Sequence, residues 1–123
     1  MARVLVIDDD QSVRQVMAKI LEHHGHEVDQ AEEGEEGLEL VRTRAYALVV
    51  TDLVMPGKEG IETILDIRSE FPDLPILAVS GGISVSKTGP LMDAAQLGAN
   101  DTLAKPFTTG ELMGAVNALL ADA

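Results

Sequence analysis

The chain contains no cysteine, so it has neither a disulfide framework nor a thiolate to serve as nucleophile or metal ligand, which is compatible with a reducing cytoplasm. Basic residues are scarce: 9 Lys and Arg stand against 21 Asp and Glu, a formal charge of -12. That balance argues against the basic footprint of a nucleic-acid binder and against adhesion to anionic membranes, and it favours a cationic partner or a metal ion. No apolar run approaches the roughly 18 residues of a membrane-spanning helix. The amino terminus also lacks a charged region followed by a signal-type apolar stretch, so the expectation is a cytoplasmic protein. What remains is 123 residues with 46% apolar content, enough for one core and too short for two, so a single domain over residues 1–123 is expected.

The apolar residues that are present fall into short runs, and several of the runs stop at a chemically useful side chain. Leu48-Val49-Val50-Thr51-Asp52 reads as a strand buried on both faces, with Asp52 where the strand leaves the core. An aspartate is too costly to bury unpaired, and Met55-Pro56-Gly57 reads as a loop, so Asp52 is expected at a sheet's carboxyl edge. Arg3-Val4-Leu5-Val6-Ile7 repeats the design and stops at Asp8-Asp9-Asp10. Ile76-Leu77-Ala78-Val79 stops at Ser80, and a short strand over Asp101 to Ala104 leads to Lys105-Pro106-Phe107. A weaker strand is expected from Glu27 to Ala31.

Between the strands the apolar period changes to that of helices. Val13, Val16, Met17, Ile20 and Leu21 form a one-sided stripe, with Ser12 and Gln15 fitting a capping box and Gly25 closing the helix. His23, His24 and His26 surround that helix end and read as dipole-favoured side chains, not as a metal site. A second helix from about Gly34 to Arg44 carries Leu38 and Val41 inward and a solvated face of Glu32, Glu33, Glu35, Glu36 and Glu39. Ile61, Ile64 and Leu65 mark a third helix ending before Phe71, and a Gly- and Ser-rich loop over 81–90 precedes a fourth through Leu91 to Leu97, stopped by Gly98. In the last helix Thr108 and Glu111 fit a capping box ahead of Leu112, Ala115, Val116, Leu119 and Leu120.

Five strands alternating with five helices imply an α/β fold, one doubly wound, mostly parallel sheet covered on both faces. Ligands of such folds bind outside the carboxyl ends of the strands, where the polar residues lie. Asp8, Asp9, Asp10 and Asp52 cannot converge without strong like-charge repulsion unless a cation sits among them. A hard divalent ion such as magnesium suits these oxygen ligands. With Ser80 as a neutral hydroxyl and Lys105 as a compact positive charge, the set describes a pocket for a phosphoryl group.

In that order and at those intervals the residues resemble the receiver domains of two-component response regulators. The matched positions are Asp8-Asp9 after the first strand, Asp52, Met55, Pro56 and Gly60 around the third, Ser80 after the fourth and Lys105-Pro106-Phe107 after the fifth. The resemblance covers essentially the whole chain and implies a receiver domain over 1–123 with the family's strand order 2-1-3-4-5. It implies that Asp52 accepts a phosphoryl group from a phosphohistidine of a sensor histidine kinase or histidine phosphotransfer protein. Magnesium would be held by Asp9, Asp52 and the backbone carbonyl of Val54, with Asp8 acting mainly through a bound water. Ser80 and Lys105 would each meet a phosphoryl oxygen, and a surface of the fourth helix, fifth strand and fifth helix would carry the signal to a downstream protein. Asp10 lies outside the matched pair and reads as a helix cap. The Lys105–Pro106 bond, usually cis in the family, is one that an X-Pro sequence makes accessible.

The chain departs from the family pattern at three places. Thr102 occupies the switch position three before the lysine, where an aromatic residue is typical. The span from Ser80 to Lys105 is a few residues longer than usual, with Gly81-Gly82 where one small residue is expected. Val54 is apolar where some receivers carry a polar side chain able to hold an attacking water, so slow self-dephosphorylation is expected.

Two enzyme readings compete. Asp8-x-Asp10-x-Ser12 imitates the signature of haloacid-dehalogenase-type phosphatases, with Ser80 and Lys105 as later motifs, although no acidic pair follows the lysine and the chain is short for that fold. Gly81 to Thr88 is a near miss to a nucleotide-binding P-loop in which Ser86 replaces the second glycine. A receiver-like module that has lost its chemistry is the third reading, and every matched phosphorylation residue argues against it.

Overall fold

The computed structural model describes residues 2–53, 60–80 and 98–121. Five strands, β1 (Arg3–Ile7), β2 (Glu27–Ala31), β3 (Leu48–Asp52), β4 (Ile76–Ser80) and β5 (Asp101–Ala104), form one sheet in the order β2-β1-β3-β4-β5 with every pairing parallel. The described residues hold four helices, α1 (Gln11–His23), α2 (Gly34–Thr43), α3 (Gly60–Glu70) and α4 (Thr109–Ala121). The further helix expected through Leu91 to Leu97, the loop over 81–90 with its P-loop near miss, and Val54 to Pro56 lie outside the described residues. Among the described residues no helix is long and apolar enough to cross a membrane.

The alternation of side chains along β1 explains why both faces are covered. Leu5 and Ile7 join Val49, Ile76 and Ala78 on one face, against Leu38 and Val41 of α2 and Ile64 and Ile67 of α3. Val4 and Val6 join Leu48, Val50, Leu77 and Val79 on the other, against Met17 and Leu21 of α1 and Leu112, Val116 and Leu119 of α4. Right-handed crossovers require this arrangement, because the chain steps from β1 to β2 in one direction and then to β3, β4 and β5 in the other. Each fully buried Leu, Ile or Val contributes about 1.5–3 kcal/mol of transfer free energy, so continuous apolar strands are what a two-sided burial selects.

Helix ends follow local chemistry, with corrections to the sequence reading. Asp10 caps α1, its carboxylate accepting from the N–H of Val13 at 3.2 Å, so the helix starts earlier than a box of Ser12 and Gln15 would place it. Gly25, at φ +91°, takes the left-handed conformation that lets the chain leave α1. The predicted box of α4 is present in both directions: Thr108 N–H donates to Glu111 Oε1 at 2.9 Å and Glu111 N–H to Thr108 Oγ1 at 3.0 Å. Two stripe residues turn outward, Val16 at 56% and Leu65 at 42% exposure, while Arg14 and Thr63 take buried places on the same helices.

Candidate functional site

The sheet register assembles the site. Ile7 pairs with Thr51, which sets Asp8 beside Asp52 where β1 and β3 end together. Asp52 pairs with Val79 and Ser80 with Ala104, so Ser80 and Lys105 come to the same edge. Lys105 is tied in by its N–H, which donates to the Ser80 carbonyl at 2.7 Å, and the Lys105–Pro106 bond is cis as in the resembled family. Gly60, the first residue of α3, crosses so close to the backbone of Asp52 and Leu53 that any Cβ would collide with the Asp52 carbonyl; its N–H donates to the Leu53 carbonyl at 3.1 Å.

Asp8, Asp9 and Asp52 each bring a carboxylate oxygen within 4.8 Å of the others. Asp8 is completely buried and Asp52 nearly so, whereas Asp9 is exposed. The Lys105 ammonium bridges the two buried acids, donating to Asp8 Oδ2 at 3.0 Å and to Asp52 Oδ2 at 3.3 Å. Burial alone would pull the lysine pKa down, but the hydrogen bond to Asp8 and the charges of Asp52 and Asp8 outweigh it and hold the pKa above the ordinary lysine value. The lysine therefore stays charged and offsets one of three negative charges. The hard oxygen donors and the net charge that they and the lysine carry among the described residues fit a divalent cation such as magnesium.

The remaining polar atoms of Asp8 are also occupied. Its Oδ1 accepts from Asp10 N–H at 2.9 Å, its N–H donates to the Ala31 carbonyl at 3.1 Å, and its carbonyl accepts from Arg14 Nη1 at 2.8 Å. Arg14 also donates from Nε to Gln30 Oε1 at 3.1 Å. The sequence reading did not single out Arg14. The signal was its place at the head of the buried stripe Arg14, Met17, Ala18 and Leu21, where a charged residue breaks an otherwise apolar pattern.

Of the residues expected at the site, Asp8, Asp9 and Asp52 converge and Lys105 joins two of them. Ser80 is buried at the end of β4 on the same edge. Val54, the expected carbonyl ligand, lies outside the described residues. Thr102 is half-buried on β5 opposite Ala78. Asp10 stands apart from the three converging carboxylates and spends its side chain on the helix cap, which removes the second aspartate that a haloacid-dehalogenase-type phosphatase would require. A groove of about 440 Å³ flanks Lys105, lined by Ser12, Val13, Val16, Met17, Pro106 and Phe107.

Comparison with known proteins agrees with this geometry. The family model of the response regulator receiver domain matches residues 4–117. Response regulator MprA of Mycolicibacterium vanbaalenii is 40% identical over 118 residues, covering 96% of this chain and 50% of that protein. Its namesake in Mycobacterium leprae is 42% identical over 119 residues with the same coverage. The chain thus spans about half the length of the curated relatives it matches. Among solved structures, the receiver domain of the Francisella response regulator 1452 superposes with a TM-score of 0.89 at 30% identity, covering 99% of this chain and 98% of that one. Chemotaxis response regulator CheY4 of Vibrio cholerae superposes with a TM-score of 0.87 at 30% identity, over 97% of this chain and 98% of that one. The phosphatase reading finds no support in these matches, and the chain belongs to the response regulator receiver domain family of two-component signalling.

Proposed function

We propose that residues 1–123 act as a receiver domain in which Asp52 accepts a phosphoryl group from a phosphohistidine of a sensor histidine kinase or histidine phosphotransfer protein. The observation that carries the reading is the meeting of Asp8, Asp9 and Asp52 within 4.8 Å, with the Lys105 ammonium touching two of them. A carboxylate oxygen of Asp52 attacks phosphorus in line as the P–N bond to the donor imidazole breaks. The bonding electron pair returns to the imidazole nitrogen, and the product is an acyl phosphate on Asp52. Lys105, already charged and free to exchange Asp52 for a phosphoryl oxygen, takes up part of the incoming negative charge, and the Ser80 hydroxyl is placed on the same edge to donate to another. Asp9, Asp52 and the carbonyl of Val54 would hold magnesium, with Asp8 acting mainly through a water. When bound, the ion neutralises the carboxylates and draws charge from the phosphoryl oxygens.

The chain's own chemistry is then limited to this phosphoryl transfer and a slow hydrolysis, for which the apolar Val54 supplies no water-holding side chain. The new charge biases the surface that includes β5 and α4. Thr102 on β5 stands at the switch position without an aromatic ring, so the shift would be carried by Ser80 and Lys105 drawing toward the phosphoryl group. The setting is the cytoplasm, with a downstream protein as target and no direct nucleic-acid or membrane contact by this domain.

The test is incubation with magnesium and a small phosphoryl donor such as acetyl phosphate, followed by intact-mass measurement. One phosphoryl group is expected on the wild-type chain and none on Asp52→Asn. A mass gain that survives the substitution overturns the assignment of Asp52, and no gain on the wild type overturns the reading.

A further inference from the structure

Arg14 is a buried charge without a close carboxylate. Its side chain is only 8% exposed, and the nearest carboxylate partner, Glu32, lies 3.9 Å away and is itself 77% exposed. Removing a guanidinium from water costs several kcal/mol, and a solvated partner at that distance returns little of it. The short bonds of Arg14 go to two neutral oxygens, the Asp8 carbonyl at 2.8 Å and the Gln30 side chain at 3.1 Å. A burial this costly points to what those bonds hold in place.

The Asp8 carbonyl belongs to the planar peptide that joins Asp8 to Asp9, so holding its oxygen orients the unit from which the Asp9 Cα departs. Asp8 is bonded at its N–H, its carbonyl and both carboxylate oxygens. Asp9 differs: it is exposed, and none of the described residues bonds its carboxylate. The place of the Asp9 carboxylate is therefore set through its backbone, and Arg14 is the side chain that grips that backbone. Gln30 of β2, by taking Nε, keeps the guanidinium from turning away.

We infer that Arg14 is a positioning residue for cation binding, which fixes the Asp8–Asp9 peptide and so presents the Asp9 carboxylate beside Asp8 and Asp52. The inference rests on the metal site of the proposed function. It also makes a prediction of opposite sign to simple electrostatics. Deleting a positive charge near three carboxylates would by charge alone tighten a divalent cation, whereas loss of positioning loosens it.

The experiment is titration of the unphosphorylated chain with magnesium chloride, followed by calorimetry and amide NMR shifts, with no phosphoryl donor present. Arg14→Gln is expected to weaken magnesium by about 10–100-fold, the usual effect of removing an outer partner of a metal ligand. Arg14→Lys, which keeps the charge but cannot serve Asp8 and Gln30 together, is expected to recover only part of the loss. Gln30→Leu is expected to weaken binding less than Arg14→Gln, and Arg42→Met, at the opposite edge of the sheet, to leave it unchanged. Unchanged or tighter binding by Arg14→Gln, whatever its melting temperature, overturns the inference. If the Arg14 variants do not fold, unchanged binding by Gln30→Leu overturns it instead. A wild-type chain that binds no magnesium overturns the metal site and this inference with it, whereas wild-type binding matched by the Arg14 variants overturns this inference alone.

Discussion

The two edges of the sheet use charge in opposite ways. At the amino-terminal edge, where α2 and α3 end, cations are matched to acceptors with short, multiple bonds. Arg42 grips Glu70 with two bonds of 2.8 and 2.6 Å. Arg68 donates to the carbonyls of Gly98, Phe71 and Pro72 and to Asn100 Oδ1, which itself accepts from Ile76 N–H. Tyr46 gives its hydroxyl hydrogen to Asp29 at 2.7 Å; burial first, then that bond and the Asp29 charge, raise its pKa well above the ordinary tyrosine value. At the carboxyl edge three carboxylates meet, and among the described residues one lysine touches two of them. Matched charges hold elements in place, and a cluster of acids is kept where a ligand of opposite sign can use it. The fold tolerates the cluster because β1 and β3 are buried on both faces and leave the acids nowhere else to go.

The largest effect expected from breaking this contrast is at Lys105. Lys105→Gln removes the cation that touches Asp8 and Asp52 and leaves two buried carboxylates facing each other. Phosphoryl transfer from acetyl phosphate should slow by about 10²–10³-fold, the scale of losing one preorganised donor. The metal-free melting temperature should fall, and added magnesium should raise it more in the variant than in the wild type, because a dication can take over the neutralising role. Equal magnesium stabilisation of the two chains would mean that the excess charge is not what the lysine offsets.

The matching experiment at the other edge is Arg68→Ala. Its bonds join α3 to the segment that enters β5, so their loss should cost about 2 kcal/mol of stability, as for several hydrogen bonds that include a charged donor. Phosphorylation of Asp52 and magnesium affinity should be unaffected. A changed rate of phosphoryl transfer would show that the two edges are coupled.

How much of this was legible in the sequence follows the same division. The strands β1, β3 and β4 are legible because a buried parallel strand is a nearly uninterrupted apolar run, and Asp8, Asp52 and Ser80 because each ends or follows such a run; β2 and β5 are mixed in polarity, and Lys105 follows the latter. The helix faces are less legible. Val16 and Leu65 belong to apolar stripes yet point outward, since a stripe wider than the contact leaves its flank in water. Arg14 is hard to single out in the sequence because arginine is exposed by default, and only its bonds to Asp8 and Gln30 justify its burial. The Arg68 clasp joins positions about 30 residues apart through backbone carbonyls, which carry no sequence signature. Asp10 shows how little separates right from wrong at helix ends: the cap sits two residues before the Ser12 box, and both are good capping residues.

The smallest effect expected is a pH dependence at the amino-terminal edge. His26 has its pKa lowered, first by burial and then by the positive charges of the amino terminus and His24, and its Nδ1 accepts the Ala2 N–H at 3.2 Å. An accepting Nδ1 requires the neutral ring. Folding therefore favours the form without the proton, so the unfolded chain binds protons more readily than the folded one. The stabilisation is fully present above the ordinary histidine value near 6.5 and is lost as pH falls through the lower folded value. Because the ring is only partly buried, solvent screens the contribution and the slope should be shallow. Melting temperatures measured from pH 7.5 down to pH 5 should converge for the wild type and His26→Gln. A stability advantage of the wild type over His26→Gln that grows on acidification would mean that the protonated ring is the stabilising form, and that even here a positive charge has a use.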